Sequence, residues 1–485
     1  MKRRSFLKTL SAGAAAFAAC GCRTAGARAK STARPPNIVL MVADDLGYRE
    51  LGCYGQQKIE TPHIDAMAAG GIRFTQHYAG APVCAPARCT IMTGLHAGHA
   101  PIRDNCEFMK SIWGDRFGGQ YPLPLGIPTV AQLLKEAGYT TGAFGKWGLG
   151  GVGTTGDPCR RGFDHFFGYN CQRHAHNYYP RYLVSDERRV FLDGNTRSVT
   201  GKVYAPQVIA DALLSFIRNN RDVPFFAYYP TIIPHLPLQV PEEFLKRYKG
   251  RWPERPYRGR SYLPHPTPRA AYAAMITFMD YQVGRILKLL EELDLAENTL
   301  VIFTSDNGTT YLKGQVDYEF FNSVGNLRGL KGSVYEGGIR VPLIARWPGK
   351  IAPGRTSDLL CAHYDLLATI LDAAGLPVPK RTDGISYLPT LLGSPSQRVH
   401  DYLFWDFAGY GGQLAVRMGK WKGVKRNLRK NPKSPLELYD LETDPGEKHN
   451  VAGDHPDIAR TIERIMLEAR TKPADRRFQF GVYRS

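Results

Sequence analysis

The chain has 485 residues, 43% of them hydrophobic and 22% charged, which is too apolar for a disordered protein and enough for one large core plus a smaller lobe. Formal charge is +19, but residues 1–34 hold eight basic residues and no acid, so the remainder carries 55 basic against 44 acidic side chains and stays basic at +11. A polyanionic partner suits that balance, and charge alone does not separate nucleic acid, an anionic membrane surface and an acidic glycan.

The opening MKRRSFLKTLSAGAAAFAAC joins a twin arginine to a short run of small apolar residues, which reads as a Tat export signal and is too short to span a bilayer. Phe17-Ala18-Ala19-Cys20 resembles a lipoprotein box, so a lipid on Cys20 is an alternative to simple cleavage. Residues 1–34 are therefore taken as signal and linker. The expected location is the periplasm or the cell surface and exterior. Of nine cysteines, Cys53, Cys89, Cys106, Cys159, Cys171 and Cys361 lack zinc-type spacing, so a metal cluster is excluded, while export allows a disulfide or two whose pairing the spacing does not give.

Asn37-Ile38-Val39-Leu40-Met41-Val42 is a continuous apolar run that predicts a buried parallel strand delivering Asp44 and Asp45 at its carboxyl end, where ligands bind in open α/β sheets. Two adjacent carboxylates repel unless a cation compensates, and oxygen-only ligation suits calcium or magnesium; a helix cap or turn is the plainer reading. A helix from Thr61 to Ala68 and a short strand from Gly71 to Thr75 follow. In APVCAPARCTIMTG, Pro86 fits the first turn of a helix running on through Met92, so Cys84 stands at a helix start, whose partial positive charge favours an anion. Thr129 to Ala137 predicts a helix stopped by Gly138, and the strand after it delivers Gly145-Lys146-Trp147.

Gln172-Arg173-His174-Ala175-His176-Asn177-Tyr178-Tyr179-Pro180 brings two histidines, with surface or packing roles as the plain alternative. A helix over 205–218 leads into the strand Pro224 to Pro230 and then Ile233-Pro234-His235-Leu236-Pro237. Residues 241–268, rich in Arg, Tyr and Pro, suggest an insertion on the ligand-binding face. Arg269 to Leu293 is helical, and the strand Asn298 to Thr304 ends in Ser305-Asp306-Asn307-Gly308, whose acid and amide oxygens complete a ligand set with Asp44 and Asp45. A glycine-rich stretch, Gly329 to Pro342, follows, then a helix over 364–375. Beyond about 398 the pattern shortens to strand-like pieces, Asp401 to Phe407, Leu414 to Met418, Trp421 to Lys425 and Leu436 to Asp440, and a helix near 456–470. The expected division is a large domain over 35–397, carrying all of these strand-end motifs, and a subdomain over 398–485.

Taken together these motifs resemble the type I, formylglycine-dependent sulfatases, an arylsulfatase-like family of the alkaline phosphatase superfamily. The resemblance rests on PNIVLMVADDLGYRELGCYG, CxPxR at Cys84, Pro86 and Arg88 with Thr93-Gly94 following, GKW at Lys146, PHxP at His235, TSDNG at Asp306, GLKGSVYEGG at Lys331 and LYDLETDPGEKHNVA, so it covers nearly all of the chain after the signal. It implies an α/β fold with a large, mixed, mostly parallel sheet sandwiched by helices and a smaller C-terminal antiparallel sheet plus helix. It also implies oxidation of Cys84 to formylglycine by a maturation enzyme, and one calcium ion on Asp44, Asp45, Asp306 and Asn307 together with residue 84. Arg88, Lys146 and Lys331 are then expected around the sulfate, with His235 or Lys331 assisting the leaving group. Many relatives read GKWH, with that histidine proposed as a base; here Gly148 stands in its place, and His174 and His176 are the candidates to replace it. The substrate class by analogy is sulfated polysaccharide or its oligosaccharides. The alternatives are a phosphate mono- or diesterase on the same fold and an exported glycan-binding homologue that has lost turnover; nucleic-acid binding has only the basic charge in its favour.

Overall fold

The computed structural model describes residues 34–484 except 109, 311 and 313. The export signal and the Cys20 box lie outside the described residues. In chain order the strands are β1 (Asn37–Ala43), β2 (Ile72–Phe74), β3 (His77–Tyr78), β4 (Thr140–Lys146), β5 (His165–Tyr169), β6 (Tyr182–Ser185), β7 (Arg188–Phe191) and β8 (Phe225–Pro230). They continue as β9 (Thr299–Ser305), β10 (Leu343–Arg346), β11 (Arg355–Ser357), β12 (Cys361–Ala362), β13 (Leu403–Phe407), β14 (Gln413–Met418), β15 (Trp421–Lys425) and β16 (Glu437–Asp440). Ten form one sheet in the order β11-β2-β10-β9-β1-β8-β4-β5-β6-β7. Its centre, β9-β1-β8-β4-β5, is parallel throughout.

Burial on both faces explains the unbroken apolar run of β1, because successive side chains point to opposite sides of the sheet. Val39, Met41 and Ala43 enter the core under the helices Pro62–Ala69, Ala205–Asn219 and Pro268–Glu292. Ile38, Leu40 and Val42 enter the other, under Cys84–Thr93, Val130–Glu136 and Asp365–Ala373. Since the central strands run the same way, the ends of β1, β9, β8 and β4 open on one edge, and Asp44, Asp306, His235 and Lys146 are delivered there together.

Strands β13 to β16 form a four-stranded antiparallel sheet with the helix Pro456–Glu468 against it. Its side chains also divide by parity: Phe404 joins the second core, while Leu403, Trp405 and Phe407 pack on Val334, Tyr335 and Ile339 of the glycine-rich stretch. That contact seats the segment carrying Lys331.

Two features depart from the sequence reading. The hairpin β6–β7 and strand β5, none of them expected, extend the sheet beyond β4; β7 reads RRVF and is exposed throughout, so it carries no core periodicity. The mixed character of the sheet agrees with the expectation, with strand β10 entering antiparallel between β9 and β2. Export allowed disulfides, but Cys53, Cys84, Cys89, Cys106, Cys159, Cys171 and Cys361 are all unpaired.

Candidate active site

The helix Cys84–Thr93 is buried along its whole length and starts at Cys84 itself. Pro86 sits in the first turn, where a missing N–H costs nothing, and Gly94 closes the other end with φ +68 and its N–H on Thr90 O. Asn105 Oδ1 takes the N–H of Ala85 at 2.9 Å and holds the helix start. Cys84 Sγ then lies 3.4 Å from Asp44 Oδ1, 3.5 Å from Lys146 Nζ and 3.4 Å from Lys331 Nζ, so one buried sulfur is ringed by a carboxylate and two ammonium groups. As a thiol it is a poor nucleophile, because burial and then Asp44 push its pKa up against the pull of the two lysines.

Around it the charges are closely paired. Lys146 Nζ sits 2.6 Å from Asp44 Oδ2, and Lys331 Nζ sits 2.7 Å from Asp45 Oδ1 and 2.8 Å from its Oδ2. Burial by itself would raise the pKa of Asp44, but the permanent charges of Lys146 first, then Arg88 and Lys331, overturn that and hold it well below the usual carboxylate range. Asp45 is pushed up by burial, with Asp44 adding and Lys331 opposing. Burial and Asp44 raise Asp306 to about 6 against Arg88. Asp45 also has φ +66, a left-handed backbone held in place by its N–H on Asp306 Oδ1 at 3.1 Å.

Arg88 differs from expectation. Nε and Nη2 bond Asp306 Oδ2 at 3.1 and 2.8 Å, Nη1 bonds Lys146 O at 2.5 Å, and the side chain is fully buried. With its donors committed it holds Asp306 and the end of β4 in place, leaving Lys146 and Lys331 as the cations beside Cys84.

The oxygen set fits a hard divalent cation. Asp44, Asp45, Asp306 and Asn307 converge at adjoining strand ends; Asn307 Nδ2 donates to Asp45 Oδ1 at 2.7 Å, while Asn307 Oδ1 is buried without a partner. A lone buried carbonyl oxygen among three carboxylates is what an oxygen-coordinated ion would satisfy. His235 Nε2 faces Asp45 Oδ2 at 3.6 Å, and its Nδ1 donates to Leu236 O at 2.6 Å, which leaves a lone pair on Nε2. Asp44, Asp45, Cys84 and His235 accordingly form one cluster with ligand-type spacing.

The two candidate histidines part company. His176 stacks on His235 with centroids 4.6 Å apart and planes 11° apart, and Tyr262 caps both edge-on at 5.4 and 6.0 Å. Burial, followed by the neighbouring imidazole and lysines, holds His176 well below its ordinary pKa; burial and Lys331 do the same for His235. Both are therefore neutral proton acceptors. His174 does not reach the site: it is buried among Phe117, Tyr169 and Tyr182 at 4.7, 5.2 and 4.5 Å, because the short helix Gln172–Ala175 turns positions 174 and 176 to different sides.

Gly148 has φ +79, and a Cβ there would lie 2.8 Å from Gln172 Nε2. The space beside residue 148 is thus filled by the Gln172 amide, whose buried Nε2 has no partner and borders the cleft. Nothing in the sequence marks Gln172, apart from its place beside the two histidines. Nor do Asn105, Arg116, Arg197 and Tyr262, which also line this cleft of about 730 Å3, belong to any local motif. The expected contribution from 241–268 is confined to Ser261, Tyr262 and Leu263.

Comparison with known proteins bears directly on this geometry. The sulfatase family profile matches residues 36–376, and the profile described as N-sulphoglucosamine sulphohydrolase, C-terminal, matches 330–472. The chain is 34% identical to arylsulfatase A of Homo sapiens over 90% of this chain and 88% of that one. It is 31% identical to N-acetylgalactosamine-6-sulfatase of Homo sapiens over 91% and 86%. In three dimensions it resembles Ps i-CgsB, solved in complex with k-i-k-neocarrahexaose, with a TM-score of 0.75, 27% identity and coverage of 89% of this chain and 92% of that one.

Proposed function

The chain belongs to the sulfatase family and is a sulfuric ester hydrolase, and from that premise we propose that it acts on sulfated polysaccharides or their oligosaccharides through a formylglycine made from Cys84. The substrate class is supported by the sulfated-sugar names of relatives such as N-acetylgalactosamine-6-sulfatase and the carrageenan oligosaccharide of Ps i-CgsB. We take residues 35–397 as the catalytic domain and 398–485 as its C-terminal subdomain. Export through the Tat pathway to the periplasm or cell surface, with or without a lipid on Cys20, belongs to the same proposal, as does a separate maturation enzyme.

One observation carries the chemistry: Cys84 Sγ stands at a helix start within 3.5 Å of Asp44, Lys146 and Lys331. One calcium ion on Asp44, Asp45, residue 84, Asp306 and Asn307 would neutralise the carboxylates and polarise a nucleophile oxygen, and the formylglycine hydrate would supply one hydroxyl to attack sulfur and a second to expel sulfate. Lys146 and Lys331 flank residue 84 and stabilise the negative charge that gathers on the sulfuryl oxygens. Lys331 reaches from the cleft side and serves the departing ester oxygen. Neutral His235, its Nε2 lone pair turned to the cluster, would take the proton released by the attacking hydroxyl and return it to that oxygen; His176 stacks on it and is the imidazole for the expulsion step in place of residue 148. Arg88, bonded to Asp306 and to Lys146 O, keeps the strand ends in register and is a positioning residue.

The test is the mass of the tryptic peptide containing residue 84, from protein co-expressed with a maturation enzyme. The expected species is about 18 Da lighter than the thiol form. A thiol throughout, under conditions that convert a control sulfatase, would remove the nucleophile from this scheme. Comparing 4-nitrophenyl sulfate with 4-nitrophenyl phosphate reads the phosphatase alternative, with sulfate expected to be turned over faster.

A further inference from the structure

The charge at Cys84 accounts for only part of the charge in the cleft. Lys331 is matched by Asp45. Arg173 is matched by Glu107, whose carboxylate takes Arg173 Nη2 at 2.7 Å and the Cys171 thiol at 3.0 Å. Arg116 and Arg197 line the same cleft, and among the described residues neither has a carboxylate within ion-pair distance. Asp115, next to Arg116 in the chain, is committed elsewhere. It accepts from Ser111 Oγ at 2.7 Å, Tyr182 Oη at 2.6 Å and Phe117 N at 3.1 Å, and it lies 3.9 Å from Arg189.

The two guanidinium groups are gathered on one ring. Arg116 lies 5.8 Å and Arg197 4.7 Å from the centroid of Phe117. Burial lowers the pKa of Arg197, and the charge of Arg116 adds to that. Arg197 is fixed there by Nη1 on His174 O at 3.4 Å and Nη2 on Arg173 O at 3.0 Å, with a backbone φ of +67. Of the eight non-glycine residues with positive φ among the described residues, Asp45, Arg197 and Tyr410 all line this cleft, and backbone strain of that kind persists where the surroundings over-determine it. Two like charges gathered on one ring without a carboxylate partner are relieved by an anion, and a planar guanidinium fork matches the oxygens of a sulfate.

We propose that Arg116 and Arg197, gathered on Phe117 in the wall of the cleft, form a second anion subsite that holds another sulfate of the same glycan while one sulfate ester lies at residue 84. The inference rests on the sulfatase reading and narrows its substrate class to oligosaccharides carrying at least two sulfates. Lys146 and Lys331 serve the ester being cleaved; the arginine pair selects what is attached to it.

The test uses the full chain with Cys84→Ala, so that turnover does not interfere. Isothermal calorimetry would measure tetrasaccharides derived from carrageenan, chondroitin and heparin, each in a matched pair differing by one sulfate. For at least one backbone, the extra sulfate is expected to tighten binding by about tenfold or more. Adding Arg116→Gln, at an exposed position, or Arg197→Gln is expected to remove most of that difference, raising Kd for the more sulfated sugar far more than for its partner. Equal weakening of both sugars marks a structural role and overturns the proposal. A difference that survives in both variants overturns it too, as does a parent that discriminates on no backbone. Turnover of 4-nitrophenyl sulfate by the matured native enzyme reads the sulfatase assignment separately.

Discussion

Among the described residues two clusters have the side chains of a metal site, and one of the two has the unmet valences of one. At the strand ends, Asp44, Asp45, Cys84 and His235 converge beside the partnerless Asn307 Oδ1. At the far end of the Cys84 helix, His96, His99 and Asp383 lie equally close. There, however, His99 Nδ1 meets both Asp383 oxygens at 2.9 and 3.0 Å, Asp383 Oδ2 also takes His96 N at 2.9 Å, and His96 Nδ1 accepts from Gly98 N at 3.1 Å. That last bond puts the proton on Nε2, the nitrogen facing the carboxylate, where a metal would need a lone pair. The second cluster therefore pins Asp383 to the helix end at Gly94, a role reinforced by Asp383 N on Gly94 O at 2.9 Å. Composition and proximity are shared; what distinguishes a site from a staple is whether donors and acceptors are already spent.

The largest expected effect lies at the strand ends. Cys84→Ala should lower kcat/KM for 4-nitrophenyl sulfate by about 10^4-fold or more, the order seen when a nucleophile is removed, while circular dichroism stays native. Residual activity near the native level would dissolve the contrast. Lys331→Ala should cost about 10^2- to 10^3-fold in kcat, as loss of one preorganised charge donor does. A change confined to KM would assign Lys331 to ground-state binding alone.

Metal content sharpens the same contrast. The purified native enzyme should carry one calcium per chain by atomic spectroscopy; Asp45→Asn should lose it, and Asp383→Asn should keep it. Asp383→Asn should instead cost about 1–3 kcal/mol in urea unfolding, the price of leaving buried hydrogen-bonding groups unmatched. Calcium lost from Asp383→Asn and kept by Asp45→Asn would exchange the two assignments. Gly148→His tests the glycine at the strand-end site: at φ +79, with the Gln172 amide in the way, it should destabilise by about 1–3 kcal/mol and bring no gain in kcat.

The smallest effect concerns His174, whose pKa burial lowers to about 3. The unfolded chain binds a proton there near pH 6.5 and the folded chain does not, so its contribution is intact above 6.5 and is lost as pH falls towards 3. Each pH unit below 6.5 should cost about 1.4 kcal/mol from this residue. His174→Phe should make unfolding free energy fall less steeply between pH 6.5 and 5, with Phe117 and Tyr182 still packed against position 174. An unchanged slope would mean that His174 titrates in the folded state.

Much of the strand-end site could be read in advance. The short, β-branched apolar run within Asn37–Ala43 reads as a buried strand, so the acids after it stand at a sheet edge, and the same holds for Thr299–Ser305 and Asp306. The Pro86 turn likewise marks Cys84 as a helix start. These are local consequences of hydrophobic burial and backbone geometry, and they place Asp44, Asp45 and Asp306 at strand ends and Cys84 at a helix start, while the roles expected of them come from the resemblance to the sulfatases. Tertiary packing alone decided the rest. It sent His176 to the cleft and His174 into an aromatic core, turned Nε, Nη1 and Nη2 of Arg88 to Asp306 and Lys146 O, filled the space beside Gly148 with Gln172, and brought Arg116 and Arg197 onto one ring. The reason is physical: periodicity tells which side of an element is buried, but which partner meets a polar group across 80 or 200 residues depends on how whole elements pack, and no local pattern encodes it.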